Sequence, residues 1–305
     1  AVPWLSGGSN NHDWGDYDND GDLDLVVGGG DYEGFNHLDI FINNNGTLTL
    51  DTSQSELVPI YPCLTNWNDI DRDGHMDLVA VGAGVIDPSF SSDTTLFTQA
   101  YINNGSGKMI RSADHYLDLG VTAGSIALGD YNSDGYDDFA LTGMNGDGDL
   151  ITYVVQNGIN SFIVTHILQG VYYGKPAWGD YDSDGDLDLL IAGQSSTEGA
   201  LGSVPATMVY YQNENGFSLD QTLSIDSVGI SFSQWGDYDS DGDLDLFLSG
   251  FKANQDVVAQ VYDNLESLEN PNKEPNAPYL LDDTNIVNGN VNLTWTAPVD
   301  PENAG

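Results

Sequence analysis

Oxygen-bearing side chains recur at a fixed spacing in five short loops of the chain. When the first Asp of each loop is counted as position 1, carboxylate or amide oxygens also stand at positions 3, 5 and 9, and position 6 is Gly. Hard oxygen donors at alternate positions around a Gly turn are typical of Ca²⁺ sites, which take about 6–8 oxygen ligands. Softer metals prefer His or Cys. We therefore predict one Ca²⁺ site in each loop.

The predicted ligand set also includes position 7, which varies in residue type and is expected to offer its backbone carbonyl. An EF-hand opens in the same way but needs a bidentate Glu at position 12. Position 12 is apolar in all five loops, which excludes an EF-hand. The predicted ligands are Asp16, Asp18, Asp20, Asp22, Asp24; Asp69, Asp71, Asp73, His75, Asp77; Asp130, Asn132, Asp134, Tyr136, Asp138; Asp180, Asp182, Asp184, Asp186, Asp188; and Asp237, Asp239, Asp241, Asp243, Asp245.

Two alternatives concern the meaning of these loops. A single Asp-Gly-rich loop is often only a solvated turn, but five copies with the same oxygen positions favour metal ligation. We expect the ions to be structural and to pin each loop to the strand that follows it. An ion that acts as a switch or bridges to a ligand is the alternative.

The charge balance restricts the partners. The chain of 305 residues has 48 Asp and Glu against 6 Lys and Arg, a net charge of −42. So few basic residues cannot neutralise a run of phosphates, which excludes nucleic acid, and an anionic membrane surface is disfavoured for the same reason. No apolar run reaches the roughly 18–20 residues of a membrane span. The oligomeric state stays open.

The elements that position the loops repeat with them. The loops begin at residues 16, 69, 130, 180 and 237, a spacing of 50 to 61 residues that indicates a repeat architecture. Each loop is followed by an apolar run that closes on Gly, a second run, an Asn-rich turn and a further run, which together predict about four short strands. No segment has a sustained helical period. We predict an all-β protein, a β-propeller of four-stranded antiparallel blades.

Aromatic residues fall into two groups. One group stands two positions before each loop, and its repeated register predicts packing between blades rather than a sugar-stacking platform: Trp14, Trp67, Trp178 and Trp235, with Leu128 in the third copy. The other group lies in segments that differ between copies, where binding residues usually occur. We predict that ligand contacts come from this second group, which includes Tyr32, Phe35, Phe90, Tyr172 and Tyr173.

The repeated GDYDxDGDLDLxxxG unit resembles the FG-GAP/VCBS repeats of integrin-α-type β-propellers and their bacterial relatives over residues 1–268. The resemblance implies that the loop joins the first two strands of a blade and binds Ca²⁺. Asn132 departs from the family pattern and removes one charge from the third site. Propellers of this family commonly have seven blades. Five loops are therefore compatible with a smaller ring, an arc of a larger one, or blades outside this sequence.

The C-terminal part has a different composition. Residues 269–278 form a Pro-rich linker, and residues 279–305 resemble the start of a fibronectin type III domain, with a strand–turn–strand pattern that ends near Trp295. The chain begins at Ala1 without an initiator Met, and we expect it to be a piece of a longer, processed precursor.

Motifs for catalysis are scarce. HExxH, GxSxG and phosphate-loop patterns are not found, the five His lack metal-ligand spacing, and Cys63 is interpreted as a buried structural thiol. No catalytic residue is predicted, and enzymatic activity stays open. We predict an extracellular module, secreted or on the cell surface, for adhesion or for binding a protein or polysaccharide. The alternatives are the propeller of a secreted polysaccharide lyase or glycosidase, and a spacer between other modules.

Overall fold

The computed structural model describes residues 11–31, 33–85, 95–158, 161–195 and 204–264, and the backbone of two short strands near the C-terminus. These two strands, β20 (Asn285–Val287) and β21 (Asn290–Asn292), pair antiparallel. The predicted linker, the remainder of the fibronectin-like segment with Trp295, and the aromatic residues Tyr32 and Phe90 lie outside the described residues.

Antiparallel strands of four per unit confirm the predicted all-β fold and its blades. The first blade contains β1 (Asn11–Gly15), β2 (Asp24–Gly30), β3 (Asn36–Asn44) and β4 (Thr47–Leu50). The second contains β5 (Ile60–Asn68), β6 (Asp77–Gly84), β7 (Thr95–Asn103) and β8 (Met109–Leu117). The third contains β9 (Thr122–Gly129), β10 (Asp138–Met144), β11 (Leu150–Gly158) and β12 (Ser161–Gln169).

The fourth blade contains β13 (Tyr172–Gly179), β14 (Asp188–Gln194), β15 (Pro205–Asn213) and β16 (Gly216–Leu219). In the fifth, the described residues form three strands, β17 (Gly229–Gly236), β18 (Asp245–Phe251) and β19 (Val257–Tyr262). Blades one and two also share one backbone pairing, between His37 and Ile60. The described part of the chain has no helix that is long and apolar enough to cross a membrane.

Each acidic loop connects the first strand of a blade to the second, as the resemblance implied. The first strands of successive blades pack against each other in the order β1, β5, β9, β13 and β17. The loops therefore all leave the same end of these neighbouring strands, and the beginnings of the strands lie together at the opposite end.

The core lies between the blades. Alternate residues of each second strand point to opposite faces of the sheet, and both faces are covered. In β14, Leu189 and Ile191 pack toward the third blade, whereas Leu190 and Ala192 pack toward the fifth. Because both faces are buried, these strands are continuous apolar runs instead of alternating ones.

The outer face of the fifth blade is open. Phe247 occupies the register of Leu190 but is 37% exposed, whereas Leu190 is fully buried. Val261, which pairs with Phe247, is 39% exposed, and its counterpart in the fourth blade, Val209, is 2% exposed. Within the part of the chain that the structure describes, no further blade covers this face of the fifth blade.

Candidate metal centres

Three of the predicted ligand positions converge in four of the loops. The carboxylates at positions 1, 3 and 9 each offer an oxygen, and these oxygens lie within 4.8 Å of one another. Such a triad of Asp side chains can hold a metal ion. The triads are Asp16, Asp18, Asp24; Asp69, Asp71, Asp77; Asp180, Asp182, Asp188; and Asp237, Asp239, Asp245.

The Asp at position 1 organises the turn of each loop. In the fourth loop, the Asp180 carboxylate accepts hydrogen bonds from the backbone N–H groups of Asp184 at 3.0 Å and Gly185 at 3.1 Å. Gly185 has φ = +95°, a conformation that a residue with a Cβ rarely adopts. The turn brings position 3 back toward position 1, which places their carboxylates side by side.

The Asp at position 9 is the most deeply buried residue of each site. One oxygen of Asp188 accepts the N–H of Tyr181 at 3.0 Å, and the other accepts the N–H of Gln212 at 2.8 Å. Tyr181 belongs to the acidic loop and Gln212 to the third strand of the blade. The first Asp of the second strand therefore connects the loop to the rest of the sheet.

Burial makes this position electrostatically costly without a cation. Asp77, Asp138 and Asp188 are fully buried, and desolvation raises the pKa of each carboxyl group from 3.8 to about 7. Burial raises the pKa of Asp24 as well. A bound cation would favour the charged form, because an opposite charge in contact lowers the pKa of a carboxyl group.

Positions 5 and 7 lie outside the triads. The position 5 carboxylate turns back on the loop: Asp184 accepts the N–H of Asp186 at 3.0 Å. Two position 7 side chains contact neighbouring loops. His75 Nδ1 lies 2.6 Å from Asn19 Nδ2, and the Arg72 guanidinium lies 5.2 Å from the centre of the Tyr136 ring. Ligation by positions 5 and 7 stays a prediction.

The third loop differs, because Asn132 replaces the carboxylate at position 3. Asp130 still accepts the N–H groups of Asp134 and Gly135, so the turn is preserved. However, Oδ2 of the buried Asp138 has no hydrogen-bond partner, although the equivalent oxygen of Asp188 has one. In the second loop, Oδ1 of Asp69 is also buried without a partner. Buried unpaired carboxylate oxygens are rare and fit a cation site.

Aromatic stacking connects the first, third and fourth loops to the next blade. Trp235 stacks on Tyr181 with ring centroids 5.8 Å apart, and its Nε1 donates to the carbonyl of Ala177 at 3.3 Å. The pairs Tyr17–Trp67 and Tyr131–Trp178 repeat this arrangement. Between the second and third blades, Ile70 and Leu128 lie in one apolar cluster in its place. The predicted inter-blade role of the Trp register holds for Trp67, Trp178 and Trp235, whereas Trp14 of the first blade is 47% exposed.

A Gly lies beneath each of these stacked Trp rings. A Cβ on Gly179 would lie 2.5 Å from Trp235 Cδ1, so only Gly allows the ring to approach this closely. Gly236 has the same position in the fifth blade, and a Cβ there would meet nothing within 4 Å. The difference agrees with the open face of that blade.

The sequence reasoning missed a set of amide side chains that join neighbouring blades. In blades two to five, an Asn or Gln near the end of the third strand donates its side-chain N–H to the carbonyl at position 2 of the preceding loop. The Asn157 amide donates to Ile70 at 3.0 Å, and the Asn264 amide donates to Tyr181 at 2.6 Å. The available signal for Asn103 and Asn157 was the Asn-rich turn, which the sequence reasoning assigned only to the hairpins, whereas Gln212 lies just before such a turn and Asn264 lies in none. The donors are Asn103, Asn157, Gln212 and Asn264.

The other singled-out residues lie away from the acidic loops. Tyr172 and Tyr173 are at the beginning of β13, with ring centroids 4.1 Å apart. Phe35 lies between β2 and β3 and is 62% exposed. Cys63 is a buried free thiol on β5, as predicted, and burial raises its pKa.

A family model described as FG-GAP-like repeat matches residues 16–80, 69–141 and 180–248. These stretches include all five acidic loops and cover more than half of the chain. The chain belongs to the FG-GAP-like repeat family. The repeats account for the blade-like architecture and for the recurrence of the Asp triads at one end of the first strands. No curated protein matches the chain.

Proposed function

We propose that the acidic loops of this FG-GAP repeat protein bind Ca²⁺ and that the ions are structural. All side-chain donors at positions 1, 3 and 9 are oxygens, which suits a hard cation. The observation that carries the proposal is the convergence of these carboxylates on a buried Asp, with Asp69 Oδ1 and Asp138 Oδ2 buried and unpaired. A cation of this kind satisfies such oxygens and offsets the repulsion among them.

The position of the sites supports a structural role. In the fourth loop, the buried Asp188 accepts hydrogen bonds from its own loop and from the third strand, and the same loop meets Trp235 and Asn264 of the next blade. An ion in the loop therefore stabilises both the blade and the seam beside it. Without an ion, the like charges at positions 1, 3 and 9 destabilise this junction.

The module is proposed to act by binding, outside the cell. Extracellular Ca²⁺ modules work with dissociation constants of about 10⁻⁴–10⁻³ M, and exposed loops of the kind seen here suit that range. The partner is proposed to be an extracellular protein or polysaccharide, so that the role is adhesion or docking, on a secreted or surface-attached protein. The strong negative charge disfavours nucleic acid and anionic surfaces.

Thermal unfolding in Ca²⁺ and in EDTA tests the metal proposal. Ions that bind only the folded state raise its stability by mass action, so the melting temperature should rise with Ca²⁺ concentration and fall in EDTA. Mg²⁺ should restore less stability, because it prefers a tighter octahedral site and retains water. An identical melting temperature in Ca²⁺ and EDTA would refute the proposal.

A matched pair of variants locates the effect in the loops. Asp188→Asn changes a buried carboxylate of the fourth triad, whereas Asp186→Asn removes the same charge from an exposed side chain two residues away. The Ca²⁺-dependent gain in melting temperature should shrink in the first variant and persist in the second. Equal behaviour of the two variants would indicate a general charge effect instead of a site.

A further inference from the structure

A cavity of about 530 Å³ lies at the end of the first strands that is opposite to the acidic loops. All five blades contribute to it: Asn11 from β1, Tyr61 from β5, Ala123 from β9, Tyr173 from β13 and Ile230 from β17. Its volume is within the range of about 300–1,000 Å³ that is typical of small-molecule sites.

The strands that line the cavity are bulged where they reach it. In β5, β9, β13 and β17, two residues lie opposite one residue of the second strand at this end. The first bulge residue has φ of 49° in Ala123, 49° in Tyr173 and 48° in Ile230. A positive φ is unfavourable for a bulky residue and for a β-branched one most of all. Such conformations cluster at functional sites, where bulges redirect side chains.

Three of the bulges place a large side chain in the lining of the cavity. Tyr173 and Ile230 are each 52% exposed and Tyr61 is 42% exposed, although they follow or precede buried core residues. The Tyr172 hydroxyl lies 3.5 Å from the Tyr173 hydroxyl, so two phenol groups meet at the rim. Tyr172 and Tyr173 lie at the opposite end of β13 from the loop whose Tyr181 stacks on Trp235.

The cavity is uncharged in a strongly acidic chain. None of its described lining residues is Asp, Glu, Lys, Arg or His. Its polar groups are phenol, amide and hydroxyl groups, and the Ser231 Oγ is buried with no hydrogen-bond partner. An anionic polymer would find no counter-charge in the cavity and would be repelled by the rest of the chain. An inorganic cation would find no carboxylate.

We propose that this cavity binds a neutral saccharide. The apolar C–H face of a sugar ring packs against an aromatic ring, and sugar hydroxyls exchange hydrogen bonds with phenol, amide and hydroxyl groups. Tyr61, Tyr173 and Ile230 supply the apolar contacts, and Asn11 and Ser231 supply polar ones. The size of the cavity accommodates a short oligosaccharide or the end of a longer chain. This proposal rests on the binding role proposed above and names the class of its ligand.

A glycan array that carries neutral and anionic glycans tests the proposal in Ca²⁺-containing buffer. The neutral part contains hexose, 6-deoxyhexose and N-acetylhexosamine oligosaccharides, and the anionic part contains uronate and sulfated ones. We expect binding to neutral glycans, which Tyr173→Ala and Ile230→Ala should each weaken by about tenfold or more, a loss of about 1.4 kcal/mol. Ile167→Ala is the matched control for Ile230→Ala, because Ile167 is an exposed Ile that does not line the cavity.

The outcomes are separable from those of the metal experiment. Binding to anionic glycans only, unchanged binding in both cavity variants, or no glycan bound at all would overturn the cavity proposal. If the same protein preparation still melts at a higher temperature in Ca²⁺ than in EDTA, the proposal of structural Ca²⁺ stands independently. The melting temperature of each variant in Ca²⁺ verifies that lost binding is not lost folding.

Discussion

The two ends of the first strands differ in how strictly the repeat is kept. At the loop end of β13, Asp180 and Asp188 stand at the same register as in every other blade, and the bonds from Asp184 N–H and Tyr181 N–H to them each recur in three of the other four loops. At the cavity end, the first bulge residue is Tyr61, Ala123 or Tyr173, and Ile230 in the fifth blade. The repeat is uniform where the junction between blades depends on it and variable where side chains face open space.

The distance between the two ends makes them separately testable. Seven residues lead from Tyr173 to Asp180, which corresponds to about 23 Å of extended strand. Substitutions more than about 7–10 Å apart with no shared partners have nearly additive effects on stability. A change at one end should therefore leave the behaviour of the other end intact.

The largest expected effect is the pH dependence of the metal-free protein. The folded-state pKa of Asp77, Asp138 and Asp188 is about 7, above the 3.8 of an ordinary Asp. The stabilising contribution of these protonated groups is complete below pH 3.8 and is lost as the pH rises to about 7, at up to about 1.4 kcal/mol per pH unit for each group. In EDTA, the free energy of unfolding should fall from pH 5 to pH 8.

Urea unfolding in EDTA at one-unit pH intervals measures this trend. In saturating Ca²⁺ the trend should weaken or reverse, because a bound ion keeps the carboxylates charged. If the stability of the metal-free protein is constant or increases over this range, the buried carboxylates of the loops do not destabilise the folded state when they are charged.

The next largest effect is expected from loss of one buried carboxylate. Asp188→Ala removes the acceptor of two backbone N–H groups and one ligand of the fourth triad. Leaving buried donors unpaired costs about 1–3 kcal/mol each, so we expect a loss of about 3 kcal/mol in Ca²⁺. Urea unfolding measures it, with Asp186→Ala as the exposed control. A loss below about 1 kcal/mol would contradict the role of the position 9 carboxylate in connecting the loop to the sheet.

A smaller effect is expected at the seam beside the loops. Gly179→Ala places a Cβ 2.5 Å from Trp235 Cδ1 and should cost about 1–3 kcal/mol, the usual range for overpacking. Gly236→Ala is the same substitution at the open face, where nothing lies within 4 Å, and should be neutral within about 0.5 kcal/mol. Thermal unfolding of both variants compares them. Equal destabilisation would argue that the Gly is needed for its backbone and not for the neighbouring ring.

The smallest effect on stability is expected at the cavity end. Tyr173 is half exposed, and Tyr173→Ala should change the free energy of unfolding by no more than about 0.5 kcal/mol. The difference in melting temperature between Ca²⁺ and EDTA should equal that of the unchanged protein. A strong destabilisation, or an altered Ca²⁺ dependence, would show that the two ends are coupled and would weaken the contrast between scaffold and recognition surface.

Much of the fold was predictable because the same pattern of strands and loop occurs five times in the sequence. The continuous apolar runs after each loop predicted buried strands, and the Trp register predicted contacts that the Tyr181–Trp235 stack now shows. The amide anchors such as Asn264 were not predicted, because a side chain that serves a neighbouring blade carries no local pattern. Within the loops, the spacing alone did not separate the converging positions 1, 3 and 9 from positions 5 and 7.

The sequence by itself determined the blade, the loop and the chemical class of the loop ligands, since these depend on residues that are close together in the chain. The tertiary structure alone decided which residues meet between blades. Tyr61, Tyr173 and Ile230 are more than fifty residues apart from one another, and they share a cavity only because the first strands pack side by side. The open face at Phe247 is likewise a property of the assembled blades, because burial depends on what packs against a side chain.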